Sequence, residues 1–192
     1  MPMLNGFMLS IPGHHDWEGY ADIEHLENFE VVLSNSHSRR CDVTLTISGK
    51  VQGIYRIGPN GAIRLERRDN NSDRWVAILP ETEAGEQAGL TSGDPLQGLI
   101  SAKFELEKPV HQQNYGSRGV TRGGAAKGGF EEIGVGEFGH SNQQFVEVGD
   151  IVVDPSMTTE LHIRLRRPRS APRIKPLGQQ RSTPIPPPIG GF

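Results

Sequence analysis

Residues 41–79 constrain the fold more than any other part of the chain. Val43, Leu45 and Ile47 alternate with Thr44, Thr46 and Ser48, the two-residue period of a strand buried on one face. Gly49-Lys50 supplies a tight turn, and residues 51–57 return as the partner strand. Pro59-Asn60-Gly61 makes a second turn, where Asn and Gly tolerate positive φ. Residues 62–66 alternate again through Ile63 and Leu65, and after a polar loop at 67–72 residues 75–79 add a fourth strand. Four strands roughly ten residues apart predict a meander, and with it a sandwich or a barrel.

The flanking sequence extends this pattern. Residues 28–34 (NFEVVLS) and 99–107 (LISAKFELE) read as strands. So do 144–148 and 151–153 around a Gly149-Asp150 turn, and 158–165 through Leu161, Ile163 and Leu165. Residues 80–97 are polar and carry Pro80, Gly85, Gly89, Gly93 and Pro95, which predicts a loop with at most a turn of helix at 83–88. The expected fold class is all-β: a single antiparallel β-sandwich of about eight strands, spanning residues 28–166. Residues 1–27 are expected as an N-terminal arm, and residues 167–192 as a basic, proline-rich C-terminal arm. A glycine-rich stretch at 111–140 interrupts the domain, and a loop of that length is usually functional or mobile.

Composition fits a modest core with extensions. Only 34% of the chain is hydrophobic, with 24 Gly and 14 Pro, so apolar burial cannot offset the ordering entropy of the whole length. The net charge of −3 conceals an asymmetry. From Arg164 to Phe192 there are seven basic residues and no acidic one, and this +7 leaves −10 on residues 1–163. A basic arm of this kind suits the acidic body of a neighbouring copy; seven charges over this length are sparse for a nucleic-acid arm, so nucleic acid is the less favoured partner. The single cysteine, Cys41, excludes an internal disulfide and a thiolate metal cluster within one chain, and is expected as a small core residue. No apolar run approaches the ~18 residues of a membrane span, and residues 1–11 lack the features of a signal peptide. A soluble protein, cytoplasmic or in a virion, is expected.

Candidate motifs carry little chemistry. Gly134-Val135-Gly136-Glu137-Phe138-Gly139 matches G-x-G-x-x-G, but a dinucleotide site needs that motif between a strand and a helix, and here a strand follows. His14-His15-Asp16 offers neighbouring metal-ligand types without the three or four converging donors that zinc takes. The remaining histidines are scattered, no serine lies in a G-x-S-x-G elbow, and Glu131-Glu132 lies in the glycine-rich stretch. No catalytic residue, cofactor or metal is therefore assigned. Arg39-Arg40 and Arg67-Arg68, with Arg74, are expected as solvated loop arginines or salt bridges to a neighbouring subunit; only Tyr55 and Trp75 lie near enough to stack bases, and Trp75 is expected in the core.

The C-terminal arm has the best functional prospect. Pro184, Pro186, Pro187 and Pro188 favour polyproline II, which loses little entropy on docking. Arg169, Arg173 and Lys175 supply charge, and Ile185, Ile189 and Phe192 supply anchors that fit small pockets. These six are the candidate partner-binding residues.

One further pattern is a resemblance. Arg40-Cys41-Asp42-Val43-Thr44-Leu45-Thr46-Ile47-Ser48-Gly49-Lys50, Gly53-Ile54-Tyr55-Arg56-Ile57 and Ile63-Arg64-Leu65-Glu66-Arg67 carry it, with Gly139-His140-Ser141-Asn142-Gln143-Gln144-Phe145 and Leu161-His162-Ile163-Arg164-Leu165. Together they resemble bacterial and viral β-domain proteins, some of them jelly-roll penton-like or minor capsid components. The resemblance covers residues 28–166 and departs from the usual pattern at Arg68, where a proline would follow the Glu-Arg pair. It implies a small jelly roll in a virion shell and no functional residues. The expected function is a non-catalytic structural assembly protein, homo-oligomeric within a larger assembly and tied to other protein subunits by its arms. The alternative is a ligand-binding β-module, for carbohydrate or peptide, that uses the 111–140 stretch; it expects exposed aromatics, and only Tyr115, Phe130 and Phe138 fall there. A third reading, a cupin-like metalloenzyme, would show bound metal.

Overall fold

The structure is a computed structural model that describes residues 2–14, 16–17, 19–109 and 133–168. Among these, twelve short strands and one helix follow in order: β1 (Met3–Leu4), β2 (Phe7–Ser10), β3 (Asp16–Trp17), β4 (Tyr20–Asp22), β5 (Val31–Asn35), β6 (Cys41–Ile47), β7 (Lys50–Ile57), β8 (Gly61–Leu65), β9 (Asp73–Ile78), α1 (Glu83–Gln87), β10 (Leu99–Glu107), β11 (Gly134–His140) and β12 (Val153–Arg166). The protein is all-β.

The alternation in β6 survives intact: Cys41, Val43, Leu45 and Ile47 are buried and the threonines between them are not. The turn lies one residue earlier than the Gly49-Lys50 expected. Ser48 and Gly49 both take positive φ, of 48° and 76°, which is the two-residue turn whose twist matches a hairpin, and Lys50 is already paired in the ladder. The β6–β7 ladder runs from Ile47↔Lys50 to Cys41↔Ile57 with an irregularity beside Thr46. At that bulge Gly53 has φ +151°, where a Cβ would lie 2.8 Å from the Asp69 carboxylate. The bulge turns Gln52 inward, and its amide oxygen accepts a hydrogen bond from Trp75 Nε1 at 3.2 Å.

Six strands form one sheet in the order β3-β4-β12-β10-β6-β7, and four form another in the order β1-β2-β5-β8. The two sheets face each other across a common core, where Phe7 of β2 stacks on Phe104 of β10 with ring centroids 4.7 Å apart. Both rings are fully buried, as are Leu9, Leu33, Leu45, Ile57 and Ile100. β9 pairs with β11 and is joined to the segment ahead of β5 through the Asn28↔Val76 bridge. A Thr82 cap, whose hydroxyl accepts from Gly85 N at 3.2 Å, starts α1.

Several expectations change. β6 to β9 are not a meander: only β6 and β7 pair, β8 joins β5 in the other sheet and β9 joins β11. The cause is the corner at Gly58-Pro59-Asn60-Gly61, where Gly61 N bonds Gly58 O at 3.2 Å. Buried Asn35 fixes this corner by donating to Gly58 O at 3.1 Å and to Arg39 O at 2.8 Å. The sheet is not purely antiparallel, because β4 runs parallel to β12. Four strands lie within residues 1–27, expected as an arm, and Phe7, Leu9, Ile11, Ala21 and Ile23 are core residues. Residues 144–148 and 151–152, expected as strands, have no ladder partner and are extended coil. Much of the 111–140 stretch, with Tyr115, Phe130 and Glu131-Glu132, lies outside the described residues, while its end forms β11 beside fully buried Ile133. No helix among the described residues is long and apolar enough to cross a membrane.

Candidate protein-docking groove

β7 is one of the two outer strands of the six-stranded sheet and β8 one of the two of the four-stranded sheet. Strand edges leave backbone donors and acceptors exposed unless something covers them. Residues 141–152, running from β11 to β12, supply that cover by side chains. Ser141 N donates to Ser72 O at 2.7 Å, and its hydroxyl donates to the Glu66 carboxylate. Gln143 then stands in for a neighbouring strand: its Oε1 accepts from Glu66 N at 3.3 Å and its Nε2 donates to Arg64 O at 2.5 Å. Phe145 packs on Tyr55, ring centroids 5.4 Å apart.

Arg67 holds these pieces together. Its guanidinium lies 4.6 Å from the Phe145 ring centroid and donates to the carbonyls of Arg68, Asn71 and Gln143. Further along, Arg56 grips Asp42 with two bonds of 2.8 Å and donates to Gly149 O at 2.5 Å. The Ser141 hydroxyl and then the Arg74 guanidinium hold the Glu66 carboxyl below its ordinary range, against the opposing effect of burial. Burial, with Asp69 nearby, pushes the Tyr55 phenol up.

Between the two strand edges and this covering segment lies an open groove of about 910 Å³. Ile54, Tyr55, Ile63, Phe145, Val146 and Val148 give it an apolar lining, and Asp42, Asp69, Glu147 and Asp150 give it an acidic margin with Arg56 and Arg64. Three of these apolar residues are largely in solvent: Ile54 is 67% exposed, Val146 83% and Val148 57%. Apolar side chains clustered in this way, with a polar margin, mark interaction sites. The arrangement can hold an extended apolar segment. A second cavity, of about 570 Å³, lies between the end of α1, β7 and β11, and is lined by Trp75, Leu90, Gln97 and Phe138 among others. Gln97 there is buried with its amide nitrogen unpartnered.

The residues singled out by sequence are distributed as follows. Arg169, Arg173, Lys175, Ile185, Ile189 and Phe192 lie outside the described residues. Arg39-Arg40 and Arg67-Arg68 with Arg74 pair within the chain, Arg40 and Arg74 remaining about half in solvent: Arg39 meets Asp154 at 3.5 Å, Arg68 meets Glu137 at 3.8 Å, Arg40 pairs with Glu107 and Arg74 with Glu66. Each loop arginine thus binds a carboxylate or carbonyl of its own chain. His14 Nδ1 lies 2.7 Å from Asp22 O, and among the described residues no three His, Cys, Asp or Glu side chains gather as metal ligands would. The G-x-G-x-x-G segment is strand β11. Cys41 is fully buried, and burial pushes its thiol up to about 12. The groove residues Ile54, Val146 and Val148 were not signalled by any motif; their one mark is an apolar side chain where a solvent-facing residue belongs.

No protein-family model matches the chain, no curated protein is detectably similar to it, and no solved structure matches its fold. The functional reading therefore rests on the geometry of the groove.

Proposed function

We propose that the protein is a non-catalytic structural assembly subunit, a penton-like or minor component of a virion shell, that ties to neighbouring copies and other protein subunits. The observation that carries this reading is the β7–β8 groove, where Ile54, Val146 and Val148 expose apolar surface between two outer strands. Exposed apolar patches rimmed by polar residues are costly on a solitary protein and useful on one that associates. Two facing sheets are compatible with the jelly-roll arrangement that shell subunits use, and outer strands are the standard place for one copy to engage the next. Virion assembly, or assembly in the cytoplasm before it, is the setting this role implies.

The test is the mass of the native protein by light scattering or native mass spectrometry at about 10 µM, a concentration typical of modest subunit contacts. A closed multiple of the 21.1 kDa chain is expected. A monomer that stays monomeric as concentration rises a hundredfold overturns the reading.

A second reading has its own observation. The cavity beside Gln97 and half-exposed Phe138 has the size of a small-ligand site and an unpartnered buried amide. It suits a carbohydrate- or peptide-binding module. Glycan-array binding that disappears in Phe138→Ala would favour it over assembly.

A further inference from the structure

We infer that the β7–β8 groove receives the proline-rich C-terminal segment, residues 182–192, of a neighbouring copy. This rests on the assembly reading and goes beyond it by naming the surface and its occupant.

Size comes first. At about 910 Å³ the groove is at the upper end of sites that bury a whole ligand, roughly 300–1,000 Å³. Its chemistry is specific as well. Polyproline segments dock in aromatic-lined grooves; half-buried Phe145 supplies the aromatic wall here, with Tyr55, only 5% exposed, packed behind it. Residues 184–188 hold four prolines, followed by Ile189 and Phe192, apolar groups that match the exposed Ile54, Val146 and Val148.

Backbone accounting separates this occupant from an added strand. Glu66 N–H and Arg64 C=O, which an incoming strand at β8 would use, already bond the Gln143 side chain. A proline has no N–H to donate, so a proline-rich segment loses nothing where no ladder is offered. Charge agrees. Residues 182–192 are uncharged, the stretch 169–181 ahead of them carries Arg169, Arg173, Lys175 and Arg181 and no acid, and on the groove margin Asp42, Asp69, Glu147 and Asp150 outnumber Arg56 and Arg64.

β12 lies three strands from β7, about 14 Å at the usual strand spacing, and residues 167–181 span about 50 Å when fully extended. That length reaches this groove on the same chain or on a neighbour, and the assembly reading assigns it to the neighbour.

The test uses full-length chains with single new cysteines, because fully buried Cys41 does not compete. Val146→Cys protein is mixed with Ile189→Cys protein of a different tag mass under mild oxidation. A mixed disulfide dimer is expected, at least tenfold more than with Met3→Cys, an exposed control on the outer strand far from β8. Adding Ile54→Asp to the Val146→Cys chain is expected to cut the yield tenfold, with circular dichroism unchanged because Ile54 is exposed. Equal yields from the two positions overturn the inference. So does a Val146→Cys/Ile189→Cys chain that closes only within itself at the concentration used for the mixed crosslink. Oligomers without the selective crosslink overturn the groove assignment and leave the assembly reading intact; monomers without it remove both.

Discussion

Glu66 and Arg67 are adjacent residues that do opposite work at the β8 edge. Glu66 accepts from the Ser141 hydroxyl and from Arg74, and Arg67 gathers three carbonyls and the face of Phe145. A guanidinium does this where an ammonium would not, because its planar fork reaches several acceptors while stacking on a ring. The carboxyl of Glu66 is held below its ordinary value of 4.5, first by Ser141 and then by Arg74. A lowered folded-state value adds stability that is complete above the unfolded value and lost as pH falls through the folded one. The thermal midpoint of the parent is therefore expected to exceed that of Glu66→Gln at pH 6–7, and the gap to close as pH drops below about 4.5. Scanning calorimetry on both proteins from pH 3 to 7 checks this; a gap constant with pH would show that the ionised form contributes nothing. Little of it was legible beforehand, because Glu66 reads in sequence as the end of a strand and Arg67-Arg68 as loop arginines, and the partners Ser141, Gln143 and Phe145 lie far along the chain.

At the scale of elements, the legible parts are those with local causes. β10 follows from its own alternation and has the expected bounds, and the β6–β7 hairpin follows from a turn that admits two positive φ values. Residues 144–148 show the limit of this method. Gln144-Phe145-Val146-Glu147-Val148 has strand composition, yet Val146 and Val148 face solvent and no ladder forms. Propensity cannot supply a partner strand, and the β8 edge beside this segment is satisfied by the Gln143 amide instead. That side chain, together with Arg67, Ser141 and Arg56, fastens the segment that borders the groove. Gln143→Ala is expected to raise the rate of glutamyl-endopeptidase cleavage after Glu147 severalfold, while costing about 1 kcal/mol of global stability, since the released edge groups can turn to water. Mass spectrometry of timed digests measures the first quantity and urea unfolding the second. Unchanged cleavage would mean that Arg67 and Phe145 suffice to hold the segment.

For the whole molecule, sheet order is what sequence conceals, because most ladders join strands far apart: β2 with β5, β10 with β12, β4 with β12. The N-terminal strands illustrate this and were nonetheless partly readable. Asn5-Gly6 has φ values of 50° and 76° and joins β1 to β2, the pairing of residue types that most strongly marks a two-residue hairpin. Phe7, Leu9 and Ile11 alternate after it. Two- to four-residue strands give too short a period to stand out, so an arm was the natural expectation. The consequence is thermodynamic. Burying one such side chain is worth about 1.5–3 kcal/mol, and a domain's net stability is only about 5–15 kcal/mol, so this segment cannot be dispensable. Phe7, stacked on Phe104 in the core between the two sheets, is the sharpest probe. Phe7→Ala is expected to lower unfolding free energy by about 3–5 kcal/mol, against no more than about 0.5 kcal/mol for exposed Met3→Ala. Urea titrations followed by the fluorescence of buried Trp75 compare the two directly. If both variants unfold with the parent, residues 1–27 are an arm after all; if Phe7→Ala alone falls, the first hairpin is part of the domain.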